Sequence, residues 1–346
     1  MLNNMDISPQ KIGIIGATGL VGTEMIKVLE KLKFPVAEFR AFASPRSVGK
    51  DIKNPWGQTK CQELNETCFD GLDIVIVDVD DPIAAKWVPI AAAAGVKVVD
   101  KSAHFRMEAD VPLVIPEING SDIKTASRNI VSNPNCTTSV MLMALYPLYK
   151  EWGIERIVVS TYQAVSGAGI GGIGELEDQL FENVKGETYQ NAATNIQLLE
   201  GGNLWNKRIA SNVIPLAGSI QESGYTSEEM KLVKETQKIL HDESIQVAAT
   251  CVRVPVFMGH SLSMSVTFKE TPSVSKAQEL IKAAPGVQVQ DAPTALESAG
   301  IDDVLVGRIR KDLFLDNTLN LWTVGDNIIK GAALNAGQIA QVWCAN

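Results

Sequence analysis

The chain has 346 residues, 45% hydrophobic and 21% charged, with a mean hydropathy of +0.06, a balance that suits a soluble two-domain protein and excludes disordered, fibrous or membrane-embedded classes. A net charge of −9 lacks the basic footprint that nucleic acid or an anionic bilayer demands of a main partner, while leaving local sites for small anions possible. Five dispersed cysteines without a C-x-x-C pair suggest neither a disulfide framework nor a metal site, and a polar first ten residues with no apolar run near ~20 points to the cytoplasm.

From residue 11 to about 133, β-rich runs (11–16, 37–43, 73–79, 96–100) alternate with helical ones (20–32, 82–94). Such alternation predicts a parallel, doubly wound sheet of the dinucleotide-binding kind. Gly16-Ala17-Thr18-Gly19-Leu20-Val21-Gly22 follows the first strand and opens the first helix. Gly16 permits a tight turn, Gly19 lets the backbone approach a pyrophosphate and Gly22 allows helix–strand packing, with Thr18, Leu20 and Val21 at the helix start. Taken alone, the turn is equally compatible with a structural bend. Where an NAD-preferring site carries Asp or Glu, the second strand ends in Ala43-Ser44-Pro45-Arg46-Ser47. An arginine fork with the hydroxyls of Ser44 and Ser47 accepts a 2′-phosphate, so NADP is the expected cofactor; the alternative is a solvated loop with a stray arginine.

Beyond residue 133 the segments lengthen. Ser132-Asn133-Pro134-Asn135-Cys136 precedes a helical run at 137–151, which puts Cys136 at a helix N-terminus with Asn135 as its cap. The helix dipole and free N–H groups there favour a thiolate and can hold an oxyanion; the alternative is a small buried apolar residue. A strand at 154–165, a helix at 173–184, a polar stretch at 190–207, a helix at 226–241 and strands at 245–256 and 260–269 follow. Thr226-x-x-Glu229 reads as a capping box. Leu262, Met264, Val266 and Phe268 alternate with Ser261, Ser263, Ser265 and Thr267, the period of an antiparallel sheet with one buried face. His260 shares the apolar parity, so spacing alone leaves it either a core histidine or a reactive one. The second domain is therefore α+β, and residues 326–342, apolar at helical spacing, are expected to return to the first. The expected division is 1–135 with 325–346, and 136–324.

GATGLVG, SNPNC, TYQAVSGAG, RVPVFMGHS and DNIIKGAA occur in this order, and together they resemble the aspartate-semialdehyde dehydrogenase family over nearly the whole chain. The resemblance implies a Rossmann-type NADP-binding domain joined to a catalytic and dimerisation domain with a mostly antiparallel sheet. It implies Cys136 as the nucleophile that forms an acyl-enzyme and His260 as general acid and base. Gln163 would position the substrate, Arg253 would pair with its α-carboxylate and Glu228 with its ammonium. Arg106, Asn135 and Lys231 would bind phosphate, and Ser166, Gly167 and Asn327 would touch the cofactor. From spacing, Glu228 and Lys231 read more simply as an exposed helix pair.

The activity implied is reversible NADPH-dependent reduction of L-aspartyl 4-phosphate to the 4-semialdehyde and phosphate, through a cysteine thioester. It serves the synthesis of lysine, threonine, methionine and isoleucine, in a cytoplasmic homodimer without a metal. N-acetyl-γ-glutamyl-phosphate reductase shares the chemistry, but its cysteine usually sits in Gly-Cys-Tyr-Pro-Thr. A glyceraldehyde-3-phosphate-type dehydrogenase is disfavoured by the missing acidic NAD reader. A non-catalytic paralogue should lack the cysteine, histidine or arginine, and all three are retained here.

Overall fold

The structure, a computed structural model, describes residues 6–184 and 201–345, so the 190–200 part of the expected polar stretch lies outside the described residues. Contacts divide the chain into two units, the first holding residues up to Tyr146, Lys234–Ile245 and the segment from Ile328, the second Pro147–Val233 and Gln246–Asn327.

In the first unit β1 (Gln10–Ile15), β2 (Val36–Phe42), β3 (Asp51–Ile52), β4 (Thr59–Gln62), β5 (Ile74–Val77), β6 (Lys97–Asp100) and β7 (Ile130–Ser132) form one sheet in the order β3-β4-β2-β1-β5-β6-β7. Every neighbouring pair is parallel except β3 with β4 at the edge. The helices α1 (Leu20–Lys31) and α2 (Asp81–Ala93) are crossovers, followed by the short α3 (Pro116–Asn119) and by α4 (Cys136–Trp152). All four residues of β5 are buried, as a strand covered on both faces requires. On α1 the buried Met25, Ile26 and Leu29 recur at helical spacing and face Ile12, Ile14, Ile74 and Ile76. The opposite face packs Ile15, Phe42, Val75 and Val77 against Phe69, Ala84 and Val88.

The second unit contains β8 (Ile154–Gln163), α5 (Gly169–Val184), the first half of α6 (Ser227–Leu240), β9 (Gln246–Arg253), β10 (His260–Phe268), α7 (Val274–Ala283), β11 (Val287–Val289), α8 (Ala295–Ser298), β12 (Val304–Lys311) and β13 (Thr318–Gly325). Its sheet runs β11-β12-β13-β10-β8-β9, antiparallel through the centre and parallel at both edges. The predicted alternation on β10 holds, with Leu262, Met264, Val266 and Phe268 buried. The strand expected to reach residue 256 stops at Arg253, because Pro255 has no N–H to continue the ladder.

The chain then returns to the first unit. It does so through a π-turn at Ile329–Ala333 before α9 (Leu334–Cys344), where a continuous α-helix was expected. Ile329, Ala333, Leu334, Ala336, Ile339 and Ala340 complete the core around α1. Among the described residues no helix is long and apolar enough to cross a membrane.

Candidate active site

The glycine turn lies where β1 has β2 on one side and β5 on the other, the switch point of a doubly wound sheet. Gly16 has φ +88°, and a Cβ there would stand 2.1 Å from the Asp78 carbonyl oxygen; one on Gly22 would stand 2.1 Å from the Gly16 carbonyl oxygen. Both positions therefore require glycine. The helix α1 begins at Gly19 with no side-chain cap and no acid in its first turn. Its amides, with Thr18, Leu20 and Val21 half-buried beside them, form a cradle that fits a phosphate anion. Lys101, just after β6, pairs with Asp78. Ser44 and Arg46 are exposed and Ser47 is buried in a 3₁₀ turn after β2, the Ser47 N–H donating to the Ser44 carbonyl at 2.8 Å.

Cys136 is the first residue of α4 and is half-exposed within a run of buried neighbours. Asn135 caps the helix as expected, its Oδ1 accepting the N–H groups of Thr137 at 2.9 Å and Thr138 at 3.3 Å. Those two amides are thus occupied by the cap, while the Cys136 Sγ sits at the positive end of the helix dipole with the Thr137 hydroxyl 4.0 Å away. The other four cysteines are buried, and burial pushes their thiols up, Cys251 to about 12 and Cys344 to about 11. Gly331 of the π-turn packs so closely that a Cβ there would lie 2.7 Å from the Cys136 Cβ. Lys330 beside it is buried but fully answered, by Glu117 at 2.6 Å, Gln338 Oε1 at 2.8 Å and Asn335 Oδ1 at 3.2 Å. Asn335 in turn donates to Asn133 Oδ1 at 2.8 Å.

Arg106 is buried in the same unit. Its Nη1 donates to Glu235 Oε1 at 2.9 Å and its Nη2 to the Lys101 carbonyl at 2.6 Å.

In the second unit the ends of β8 and β9 and the start of β10 gather the remaining candidates. Parallel pairing sets Gln163 beside Arg253. Arg253 is buried, not solvated, and its Nη1 donates to the Ala164 carbonyl at 2.7 Å. The Ala164 N–H donates to His260 Nδ1 at 3.1 Å, so the backbone of one residue, Ala164, joins the two side chains. His260 is fully buried; burial first, then the Arg253 charge, drives its pKa down to about 3. With Nδ1 accepting, the neutral ring carries its proton on Nε2, which has no hydrogen-bond partner among the described residues.

A Cβ on Gly167 would fall 2.9 Å from Arg253 Nη1 and 3.2 Å from His260 Nε2, so the bare glycine keeps that space open beside both side chains. Asn327 links Ser166 and the Gly259 N–H, its Oδ1 accepting the latter at 3.0 Å. Glu228 receives Lys231 at 3.0 Å and Gln163 Nε2 at 3.5 Å, so the pair is tied to the strand ends and is more than a solvated helix pair. The capping box at Thr226 and Glu229 is present in both directions, at 3.2 and 2.7 Å.

Sequence reasoning did not find Glu235, Asp78, Lys101, Lys330, Gly331 or Asn335. Glu235 carried one signal, a spacing of seven from Glu228 and four from Lys231 that puts it on their face of α6.

Two family models match the chain: the semialdehyde dehydrogenase NAD binding domain over residues 11–126, and the semialdehyde dehydrogenase dimerisation domain over residues 145–330. An aspartate-semialdehyde dehydrogenase of Aquifex aeolicus is 44% identical over 340 residues, covering 96% of this chain and 97% of that one. The chain belongs to the aspartate-semialdehyde dehydrogenase family. Among aspartate-semialdehyde dehydrogenases of solved structure, form II from Vibrio cholerae, complexed with ASA, superposes with a TM-score of 0.90 at 41% identity, over 97% of this chain and 98% of that one. The aspartate-semialdehyde dehydrogenase of Candida albicans, solved with NADP, gives a TM-score of 0.71 at 26% identity over 98% of this chain and 99% of that one.

Proposed function

We propose that the chain catalyses the reversible, NADP-dependent conversion of L-aspartate 4-semialdehyde and phosphate to L-aspartyl 4-phosphate, working as a reductase in the cytoplasm and as a homodimer. The observation that carries this is Cys136: half-exposed, first in a capped helix, and unlike its four buried counterparts. In the oxidative direction its thiolate attacks the aldehyde carbon. Arg253 pairs with the substrate α-carboxylate, Glu228 with the ammonium, and Gln163 orients the chain between them. The Nε2–H of His260 donates to the oxyanion as the tetrahedral adduct forms. The proton that Nε2 shares with that oxygen in the adduct returns to the ring as the adduct gives up its hydride and becomes a thioester, so His260 begins and ends neutral.

NADP, when bound, supplies the two-electron acceptor; the cradle at Gly16–Val21 and the Ser44, Arg46 and Ser47 turn would hold its phosphates, and Ser166, Gly167 and Asn327 would meet its nicotinamide end. Phosphate, held by Arg106, Lys231 and Asn135, then attacks the thioester carbon and expels the Cys136 thiolate.

The test is phosphate-dependent NADP⁺ reduction with aspartate semialdehyde against N-acetylglutamate semialdehyde. Aspartate semialdehyde should be the preferred substrate, and Cys136→Ser should lower kcat by about a thousandfold or more. Parent-level turnover by Cys136→Ser, or preference for the N-acetylated substrate, overturns the reading.

A further inference from the structure

We propose that Glu235 is a positioning residue that holds Arg106 and the Cys136 turn in one fixed register. The proposal rests on the proposed function, since it gives that reaction's phosphate step its geometry.

Glu235 lies in the second half of α6 and is 1% exposed. Its two oxygens have different partners: Oε1 accepts the Arg106 Nη1 at 2.9 Å, and Oε2 accepts the Asn135 main-chain N–H at 2.7 Å. Asn135 caps the helix that begins with Cys136. A rigid planar carboxylate therefore stands between the cation proposed for phosphate and the residue preceding the nucleophile. The loop beyond Arg106 is fixed from the same helix, because Lys238 Nζ donates to the carbonyls of Arg106 at 2.7 Å, Glu108 at 2.7 Å and Val111 at 2.8 Å. Arg106 retains a buried Nε with no partner among the described residues, a donor available to an incoming anion.

An ion-paired arginine offers phosphate little net charge, so what Glu235 contributes is placement of the remaining donors. Glutamine cannot replace it. Its amide has one acceptor oxygen for two donors that both point at residue 235, and its NH₂ would oppose one of them. Aspartate keeps the charge and is one methylene too short to span both partners.

The experiment measures KM for phosphate, KM for aspartate semialdehyde and kcat on the full-length protein and on Glu235→Gln, with Arg106→Lys and the double variant completing a cycle. Glu235→Gln should raise the phosphate KM about tenfold or more while the semialdehyde KM stays within about twofold. The double variant should be little worse than Arg106→Lys alone, because Glu235 acts through that arginine. A phosphate KM within about twofold of the parent, a parallel rise in both KM values, or strict additivity in the cycle overturns the proposal. Should Glu235→Gln not fold, Glu235→Asp is expected to show the same selective rise, and an unchanged phosphate KM there overturns it equally. Failure of the functional reading itself is separate, since it appears as a parent protein without phosphate-dependent turnover.

Discussion

Gly331 has no side chain and Cys136 packs against the space one would take. A Cβ at 331 would meet the Cys136 Cβ at 2.7 Å and its Cα at 3.1 Å, and neither can yield without moving the start of α4. Gly331→Ala is therefore expected to cost about 1–3 kcal/mol of stability and to slow iodoacetamide alkylation of Cys136 at neutral pH. Urea unfolding and alkylation kinetics check it, and a variant matching the parent in both would show that the π-turn relaxes freely. Cys136 and its cap were legible because a helix start needs an N-cap side chain of the Asn type, and the signature is local. Glu235 was not, since its partners Arg106 and Asn135 are 129 and 100 residues distant in sequence and spacing names a face without naming what it meets. Arg253 illustrates a half-legible residue: the resemblance names its partner, and it is burial with the Ala164 carbonyl contact that shows it turned inward.

At the scale of elements, the start of α6 shows how one carboxylate can serve two backbones. Glu229 Oε2 closes the capping box on the Thr226 N–H at 2.7 Å, while Oε1 accepts the Cys251 N–H of β9 at 2.9 Å. Thr226→Ala removes one cap bond and should cost about 1 kcal/mol. Glu229→Ala orphans two buried donors and should cost more, about 2–4 kcal/mol. Denaturation midpoints decide it: equal losses for the two would mean the strand contact contributes nothing. Long periodic elements were readable, α1, α4 and β10 above all. The strands β3, β4 and β7, of two, four and three residues, are too short to display a period. The β12–β13 hairpin is obscured by an irregularity between Gly307 and Arg310, where Arg308 adopts φ +54°. The π-turn escaped because its spacing departs from 3.6 only for one turn.

For the molecule as a whole, the burial of a neutral His260 makes stability sensitive to acid. His260 is held near a pKa of about 3 in the fold, against about 6.5 unfolded. The unfolded chain thus binds the extra proton first, so stability falls as pH drops below about 6.5 and keeps falling toward about 3. Between pH 7.5 and pH 5 the parent should lose about 2 kcal/mol more than His260→Gln, and parallel pH dependences for the two would refute the assignment. The strand–helix alternation announced the first sheet and the period of β10 the second, whereas the return of Lys234–Ile245 to the first unit had no local sign, because it depends on Lys238 and Glu235 meeting a loop far back in the chain. The late arrival of α9 has a further consequence during synthesis. On the ribosome, the nascent strands β1, β5 and β6 emerge long before Ile329, Leu334, Ile339 and Ala340 exist to cover them. Until those residues are made, that face of the sheet has α1 over it but lacks its second layer of packing. A stop codon ahead of residue 329 should therefore yield inclusion bodies in place of a shortened enzyme.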